Sequence, residues 1–313
     1  MTPSVSSAPP VPPVPPLPAD LVEAYLGRLG LTRDDVGWPG PPTPEGLRRL
    51  HAAHCARIVY ENVDIIRGCP PGIDPVATVQ RFVRGRGGYC YLLNGGLGAL
   101  LASLGYRVTR HVGAVWRPGG LGTGSAREAW GRHLALTVEV DGQSWFADVG
   151  LGDALYQPVP LPADRSTPVA LHQGPFSYRI EASDEVPGAW RFVHDPVQSS
   201  FLAMDFGPEP VPMARFEQRH EFLSTSSDSG FRRVMKLLRR DPGAAHGLTG
   251  CVLHRQDGTG RHEQVLSTRV EWFDAVADVF GMPLTDVDEA GRDALWQWLC
   301  GAHEAWLATA PGI

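Results

Sequence analysis

The sequence predicts an α+β fold in three consecutive regions: a helical bundle, a small antiparallel β-barrel and a mixed α/β end. Three observations carry this. Apolar residues recur at helical spacing up to Gly105. The period then drops to two, with an Asp-Gly hairpin signal in its middle. The C-terminal part mixes strand-like runs with two helical ones.

The first 19 residues hold eight prolines and no ionisable side chain. They read as a disordered or polyproline tail, with no positive start or apolar core for a secretory signal. From Asp20, Leu21, Val22, Tyr25, Leu26 and Leu29 keep helical spacing, and Gly30 is a stop. Thr43-Pro44 caps a second helix carrying Leu47, Leu50, His54 and Ile58 on one side. Asp74-Pro75 opens a third, with Val76, Val79, Phe82 and Val83. A fourth starts near Cys90 and carries Leu93, Leu97, Leu100, Leu101 and Leu104, with Gly105 as its stop.

Strands follow. Val108 to Trp116 is one. His133 to Val140 alternates cleanly, Asp141-Gly142 is a two-residue turn, and Gln143 to Val149 is the return strand. Phe176–Ala182, Trp190–His194 and Phe201–Met204 continue the barrel. The end combines strands Cys251–Arg255 and Gln264–Ser267 with helices Val270–Phe280 and Asp288–Ala308. The regions are therefore 1–19 (tail), 20–105 (bundle), 106–215 (barrel) and 216–313 (mixed end).

Composition narrows the function. Apolar residues make up 43% and charged residues 20% of 313, which suits a soluble globular chain. The net charge of −6 argues against phosphate neutralisation, so no nucleic-acid partner is expected. No run of about 18 apolar residues exists, so no membrane span is expected. Five cysteines at wide spacing without C-x-x-C disfavour disulfides and thiolate zinc, and point to a reducing, cytoplasmic setting. His51 and His54 share a helix face but lack a third metal ligand, so no metal is expected. Of 28 basic side chains only Lys236 is lysine, and asparagine occurs only at 62 and 94. In a chain so biased, those two asparagines stand out.

Two groups of residues can do chemistry. If Val140 pairs with Gln143, Asp148 falls opposite Ala135, and His133 becomes its diagonal neighbour on one face. An Asp that orients a His is half of a triad. The same pair also suits a plain polar face. Cys90 follows Arg86-Gly87-Gly88-Tyr89 and opens a helix, where the dipole favours a thiolate and glycines present amides to a substrate. A buried, inert cysteine is the other reading. The remaining four cysteines have no comparable setting. The glycine-rich run Gly119 to Ser125 lacks a Walker lysine and reads as a flexible loop. Phe231 to Leu238, rich in Arg and Lys, reads as a basic helix-like stretch that suits an acidic partner.

These residues together resemble the arylamine N-acetyltransferase superfamily. His51-x-x-His54 leads into Ile58-Val59-Tyr60-Glu61-Asn62-Val63-Asp64-Ile65, like the family's I-P-F-E-N-L-D-I segment. Arg86-Gly87-Gly88-Tyr89-Cys90, with Asn94 beyond, resembles its nucleophile motif. His133 and, fifteen residues on, Asp148-Val149-Gly150-Leu151-Gly152 resemble its histidine and D-x-G-F-G. Phe222-Leu223-Ser224-Thr225 and Ser229-Gly230-Phe231 are similar to its S-T-x-P-x-S-x-F segment. The resemblance implies a bundle, a barrel and an α/β lid with a cysteine-protease-like triad, Cys90, His133 and Asp148. It implies substrate contacts from Tyr60, Gly88, Tyr89, Tyr91, Leu151 and Asp153. It also implies acyl transfer through an acyl-cysteine, with a thioester as substrate and no bound cofactor.

Some positions depart from the acetyltransferase pattern. Leu92 replaces Glu or Gln, Val59-Tyr60 replaces Pro-Phe, Leu151 replaces a pocket aromatic, and Gly95-Gly96-Leu97-Gly98 thins the nucleophile helix. A larger, less flat pocket follows, and with it a chain-releasing cyclase, Dieckmann-type or amide-forming. Such an enzyme would take a polyketide or polyketide-peptide chain from the phosphopantetheine of an acyl or peptidyl carrier protein. The alternatives are an acetyl-CoA-dependent arylamine acetyltransferase and a non-catalytic scaffold.

Overall fold

The computed structural model describes residues 11–117, 124–195 and 200–309. Four helices build the N-terminal part: α1 (Ala19–Arg28), α2 (Pro44–Arg57), α3 (Pro75–Val83) and α4 (Cys90–Ser103). Their starts follow the caps. Thr43 Oγ1 accepts from Gly46 N at 3.0 Å, and Asp74 Oδ1 from Ala77 N at 2.9 Å. Gly105 follows α4 at a positive φ of 88°. The α4 helix is buried nearly all round, and α3 packs beside it.

The proline-rich segment departs from the expected disordered tail over its described part, 11–18. Val14 and Leu17 are buried in the bundle core, and Leu17 N donates to Ser103 Oγ at 2.7 Å. Prolines stiffen this segment, and its two apolar side chains anchor it.

Between them, β1 (Tyr60–Glu61), β2 (Arg107–Trp116), β3 (His133–Val140), β4 (Gln143–Phe146), β5 (Val159–Pro160), β6 (Val169–Gln173), β7 (Phe176–Ala182), β8 (Trp190–Val193) and β9 (Ala203–Pro210) form most of the β structure. Eight of these pair antiparallel in the order β5-β4-β3-β2-β9-β8-β7-β6. The sheet has two free edges, so it is half of a barrel. The β3–β4 turn is tight: Val140 pairs with Gln143, and Asp141 and Gly142 take φ of 52° and 73°. The return strand ends at Phe146, earlier than expected, though Ala147 N still reaches Leu136 O at 3.1 Å.

The C-terminal part holds α5 (Glu217–Thr225), then β10 (Lys236–Arg240), β11 (Ala244–Thr249), β12 (Val252–Asp257) and β13 (Gly260–Val265). It ends with α6 (Arg269–Asp278) and α7 (Glu289–Thr309). Its sheet runs β1-β10-β11-β12-β13, so β1, in the bundle region by sequence, is an edge strand of the C-terminal sheet. Two expectations fail here. The basic stretch is one helical turn, Gly230–Arg233, followed by strand β10. Period two wins because both faces are covered: Leu237 packs with Trp272 and Leu248, while Leu238 lies on the Gly152 turn. The last strand is Gly260–Val265, ahead of the expected Gln264–Ser267. No helix among the described residues is long and apolar enough to cross a membrane. Most of the glycine-rich run at 119–125 lies outside the described residues.

Candidate active site

The loop entering α4 is fixed from behind. A Cβ on Gly87 would lie 1.9 Å from Val59 O, so only glycine fits there. Gly88 N donates to Val59 O at 3.2 Å, and Gly88 O accepts from Glu61 N at 2.9 Å. The Gly88 amide is therefore spent on Val59, just before β1, and is not offered to a substrate, contrary to the expectation from its motif. Arg81 is the clamp. Its Nε donates to Gly87 O at 2.7 Å, and its two terminal nitrogens reach Glu61 Oε1 and Asp64 Oδ2, both at 2.6 Å. Arg86 joins Asp64 at 2.8 Å and Asp286, ahead of α7, at 2.8 Å. Breaking a buried ion network from one side leaves charges unpaired. Arg81→Met is thus expected to cost about 3–5 kcal/mol, read from urea unfolding.

On this loop Cys90 takes the first position of α4, whose start carries no side-chain cap, and it is 5% exposed. Its Sγ lies 3.8 Å from Arg132 O. The hairpin brings the other two residues to it. His133 Nε2 lies 2.7 Å from Asp148 Oδ2, and Cys90 is close enough for its sulfur to act on the charge of the same ring. With Nε2 committed to the carboxylate, Nδ1 is the nitrogen left for sulfur. Burial works against a charged His133, but the Asp148 carboxylate and then Cys90 outweigh it and push its pKa up to about 10. Opposite His133 stands Gly113, where a Cβ would come within 3.2 Å of the ring's Cδ2.

Asn94, one helical turn beyond Cys90, was singled out by sequence for its rarity but given no role. It uses every polar hydrogen-bonding group of its amide. Its Nδ2 donates to Leu134 O at 2.6 Å and to Asp148 Oδ1 at 2.9 Å, and its Oδ1 accepts from Val149 N at 2.9 Å. Gly150 N adds a second donor to Asp148 Oδ1 at 2.8 Å. The other asparagine, Asn62, works likewise at the C-terminal sheet. Its Nδ2 donates to Phe231 O and Val234 O at 2.7 and 2.8 Å, and its Oδ1 accepts from Lys236 N at 2.8 Å. Both positions need two donors and one acceptor in a plane, which among short side chains only asparagine supplies.

The remaining candidates divide. Tyr60 is half-buried. Burial first, then Cys90 and Asp153, push its hydroxyl well above the usual tyrosine range. Tyr89 turns away: its hydroxyl bonds His220 Nδ1 and its ring lies 4.9 Å from that of Phe231. The Tyr91 hydroxyl donates to Gly131 O at 2.7 Å, and its ring meets Phe216. Leu151 is buried among Ala135, Phe146 and Leu155. Asp153 anchors Ser200 through Oγ at 3.0 Å and N at 3.1 Å, with His194 Nε2 at 3.7 Å. Burial raises its pKa, but His194 and then Ser200 outweigh that and hold it down to about 2.

His51 and His54 are fully buried. His51 Nδ1 donates to Tyr156 O at 3.0 Å, and His54 Nδ1 shares a hydrogen bond with the Tyr25 hydroxyl at 2.7 Å. Among the described residues no group of three or more His, Cys, Asp or Glu is arranged to hold a metal ion.

The glycines of α4 do not open a pocket. A Cβ on Gly96 would lie 2.5 Å from the Phe82 ring, one on Gly95 3.4 Å from Met213, and one on Gly98 3.5 Å from Leu136. Neighbouring side chains fill the space. Leu92 is fully buried, with its Cβ 2.7 Å from where a Gly88 Cβ would stand. The larger pocket inferred from these substitutions is not there at α4.

Comparison with known proteins agrees with this architecture. An N-acetyltransferase family model matches residues 43–289. The arylamine N-acetyltransferase of Mycolicibacterium smegmatis is 30% identical over 285 residues, covering 86% of this chain and 94% of that protein. Among solved structures, the arylamine N-acetyltransferase from Mycobacterium abscessus aligns with a TM-score of 0.75 and 26% identity, over 89% of this chain and 94% of that one. The Mycobacterium marinum arylamine N-acetyltransferase in complex with CoA aligns with a TM-score of 0.74 and 28% identity, over 90% and 99%. The chain belongs to the arylamine N-acetyltransferase family of acyltransferases.

Proposed function

We propose that the protein transfers an acetyl group from acetyl-CoA to an aromatic amine through a thioester on Cys90. The observation that carries this is the His133 ring, held between Asp148 and Cys90 at the start of α4. In the first half-reaction the Cys90 sulfur attacks the donor carbonyl. A carbon–sulfur bond forms to Cys90, the bond to CoA breaks, and His133 returns a proton to the departing thiolate. In the second, the amine nitrogen attacks the acyl-cysteine. His133 takes the amine proton, the amide forms, and Cys90 is released as thiolate. Asp148 fixes the ring's orientation throughout. The first turn of α4, which no side chain caps, supplies a positive helix end that would stabilise the developing oxyanion.

The relatives support acetyl-CoA over a carrier-bound chain: the curated ones are arylamine N-acetyltransferases, and one solved neighbour holds CoA. Neither carrier protein nor ring closure finds support among them, and the filled glycines of α4 remove part of the sequence argument for a cyclase.

Intact-mass measurement after mixing with acetyl-CoA tests the reading. Wild type is expected to gain one acetyl group and lose it on adding an aromatic amine, with amide appearing. Cys90→Ser is expected to gain none. An equal adduct on Cys90→Ser would remove Cys90 from the mechanism.

A further inference from the structure

The strand that carries His133 changes partners along one edge. Strand β4 ends at Phe146, and Ala147 N still reaches Leu136 O on β3 at 3.1 Å. Alternate carbonyls of a strand point to the same edge, so those of Leu134 and Arg132 come next. The nucleophile helix meets both. Asn94 Nδ2 donates to Leu134 O at 2.6 Å, and the Cys90 sulfur lies 3.8 Å from Arg132 O. Tyr91 adds a third contact, its hydroxyl donating to Gly131 O at 2.7 Å. Side chains 90, 91 and 94, from the first turns of α4, thus meet carbonyls on both sides of His133.

Tyr91 is the member of this set without a role so far. Cys90 is the nucleophile, and Asn94 also serves Asp148 and Val149. The Tyr91 ring is fully buried, with Phe216 at 5.0 Å and Tyr89 at 5.3 Å, so a phenylalanine ring would fill the same place. What tyrosine adds is the hydroxyl, and that hydroxyl is committed to main chain. Its target is the turn ahead of β3. Gly131 stands at a φ of 88°, which glycine takes at little cost. The Gly131 N–H donates to Gly113 O at 3.1 Å, on the very residue that pairs with His133. The Tyr91 bond therefore fixes where the strand begins. It joins the residue after the nucleophile to one two places ahead of the base.

We infer that Tyr91 is a positioning residue that sets the spacing of the Cys90 sulfur from the His133 ring by tying the first turn of α4 to Gly131. With Asn94 on Leu134 O it brackets His133 from both sides. This rests on the acyl-transfer reading above, and it replaces the substrate contact that the motif implies for Tyr91. The hydroxyl acts through His133. Its loss slows removal of the thiol proton and leaves the half-saturating donor concentration alone.

Tyr91→Phe tests this, because it removes one hydroxyl and keeps the ring. Alkylation of Cys90 by iodoacetamide, followed on the Cys90 peptide by mass spectrometry, needs no acyl donor. Below neutral pH its rate is expected to fall about tenfold, the worth of one buried hydrogen bond. At high pH, where a thiol ionises without help, the rate is expected to match wild type. Single-turnover acylation by acetyl-CoA is expected to fall by a similar factor at saturation, with half-saturation unchanged. In a His133→Gln background the same change is expected to cost nothing further, because the hydroxyl has no base left to place. If Tyr91→Phe shows the alkylation loss but neither protein accepts acetyl from acetyl-CoA, the acyl-transfer reading fails and the role of Tyr91 in pairing the thiol with His133 stands. Equal alkylation profiles for Tyr91→Phe and wild type overturn the proposal. So does a loss confined to half-saturation by the donor, which would make Tyr91 a substrate contact. A loss that persists undiminished in His133→Gln also overturns it, since the hydroxyl would then only support the fold.

Discussion

Asp148→Asn is expected to slow acylation of Cys90 by roughly 10⁴-fold at neutral pH without unfolding the protein. The argument is geometric. Asp148 Oδ1 already receives two donors, Asn94 Nδ2 at 2.9 Å and Gly150 N at 2.8 Å. An amide placed there must put its oxygen on that side, because its NH₂ would face two N–H groups. Its NH₂ then faces His133 Nε2, which now lies 2.7 Å from a carboxylate oxygen. The ring nitrogen must turn acceptor, and the ring proton moves to Nδ1, the side of the sulfur. His133 can then no longer accept the thiol proton. Single-turnover acylation followed by rapid quench measures the effect. A rate within about tenfold of wild type would contradict the assigned role.

The same dyad makes stability depend on pH. The His133 pKa is raised in the folded protein, to about 10 from 6.5. A raised pKa contributes stability in full below the unfolded value and loses it as pH climbs through the folded one. The stability advantage of wild type over His133→Gln is therefore expected to be largest below pH 6.5 and to shrink toward pH 10. Urea titrations across that span measure it. An advantage that grows with pH would reverse the sign.

The second large effect is expected at Asn94. Asn94→Ala leaves Val149 N and Leu134 O without the partners they now hold, and the Asp148 Oδ1 with one donor fewer. Asn94 is fully buried, so water does not replace those bonds. Unmaking buried hydrogen bonds costs about 1–3 kcal/mol for each stranded group, so the loss is expected to be about 2–5 kcal/mol. Acylation is expected to fall as well, because Asp148 is no longer held from the helix that carries Cys90. Asn94→Asp separates the two effects. It keeps the shape but sets an oxygen where Nδ2 now donates, so two carboxyl groups share one site and one must take a proton. The acid limb of the pH–rate profile is expected to move to higher pH. An unfolding midpoint for Asn94→Ala equal to wild type would refute the argument.

Where patterns were local, the sequence was legible. Thr43, Asp74 and Gly105 mark helix boundaries because capping is decided within one turn. Asp141-Gly142 sets the hairpin register because its two residues must take positive φ, and that register brings the chain to within two residues of Asp148, which Asn94 and Gly150 then hold against His133. The basic stretch before β10 misled because its arginines recur at helical spacing. Its strand character comes from burial on both sides, which a local window does not contain. Gly88 misled similarly. Its amide looks free in the sequence, and the structure spends it on Val59.

The sequence by itself determined the order of the three regions, the hairpin register and a family membership carried by spaced motifs, because each rests on contacts within a few residues or on residue identities. It also marked Asn62 and Asn94 as unusual. Only the tertiary structure decided what they do. Asn94 joins the nucleophile helix to Asp148, 54 residues later, and Asn62 joins the bundle region to the β10 strand of the C-terminal sheet. The tertiary structure also brought Cys90 to His133 and filled the space that the glycines of α4 left open. These are meetings of segments far apart in the chain, and their positions follow from how whole elements pack, which no local period or spacing encodes.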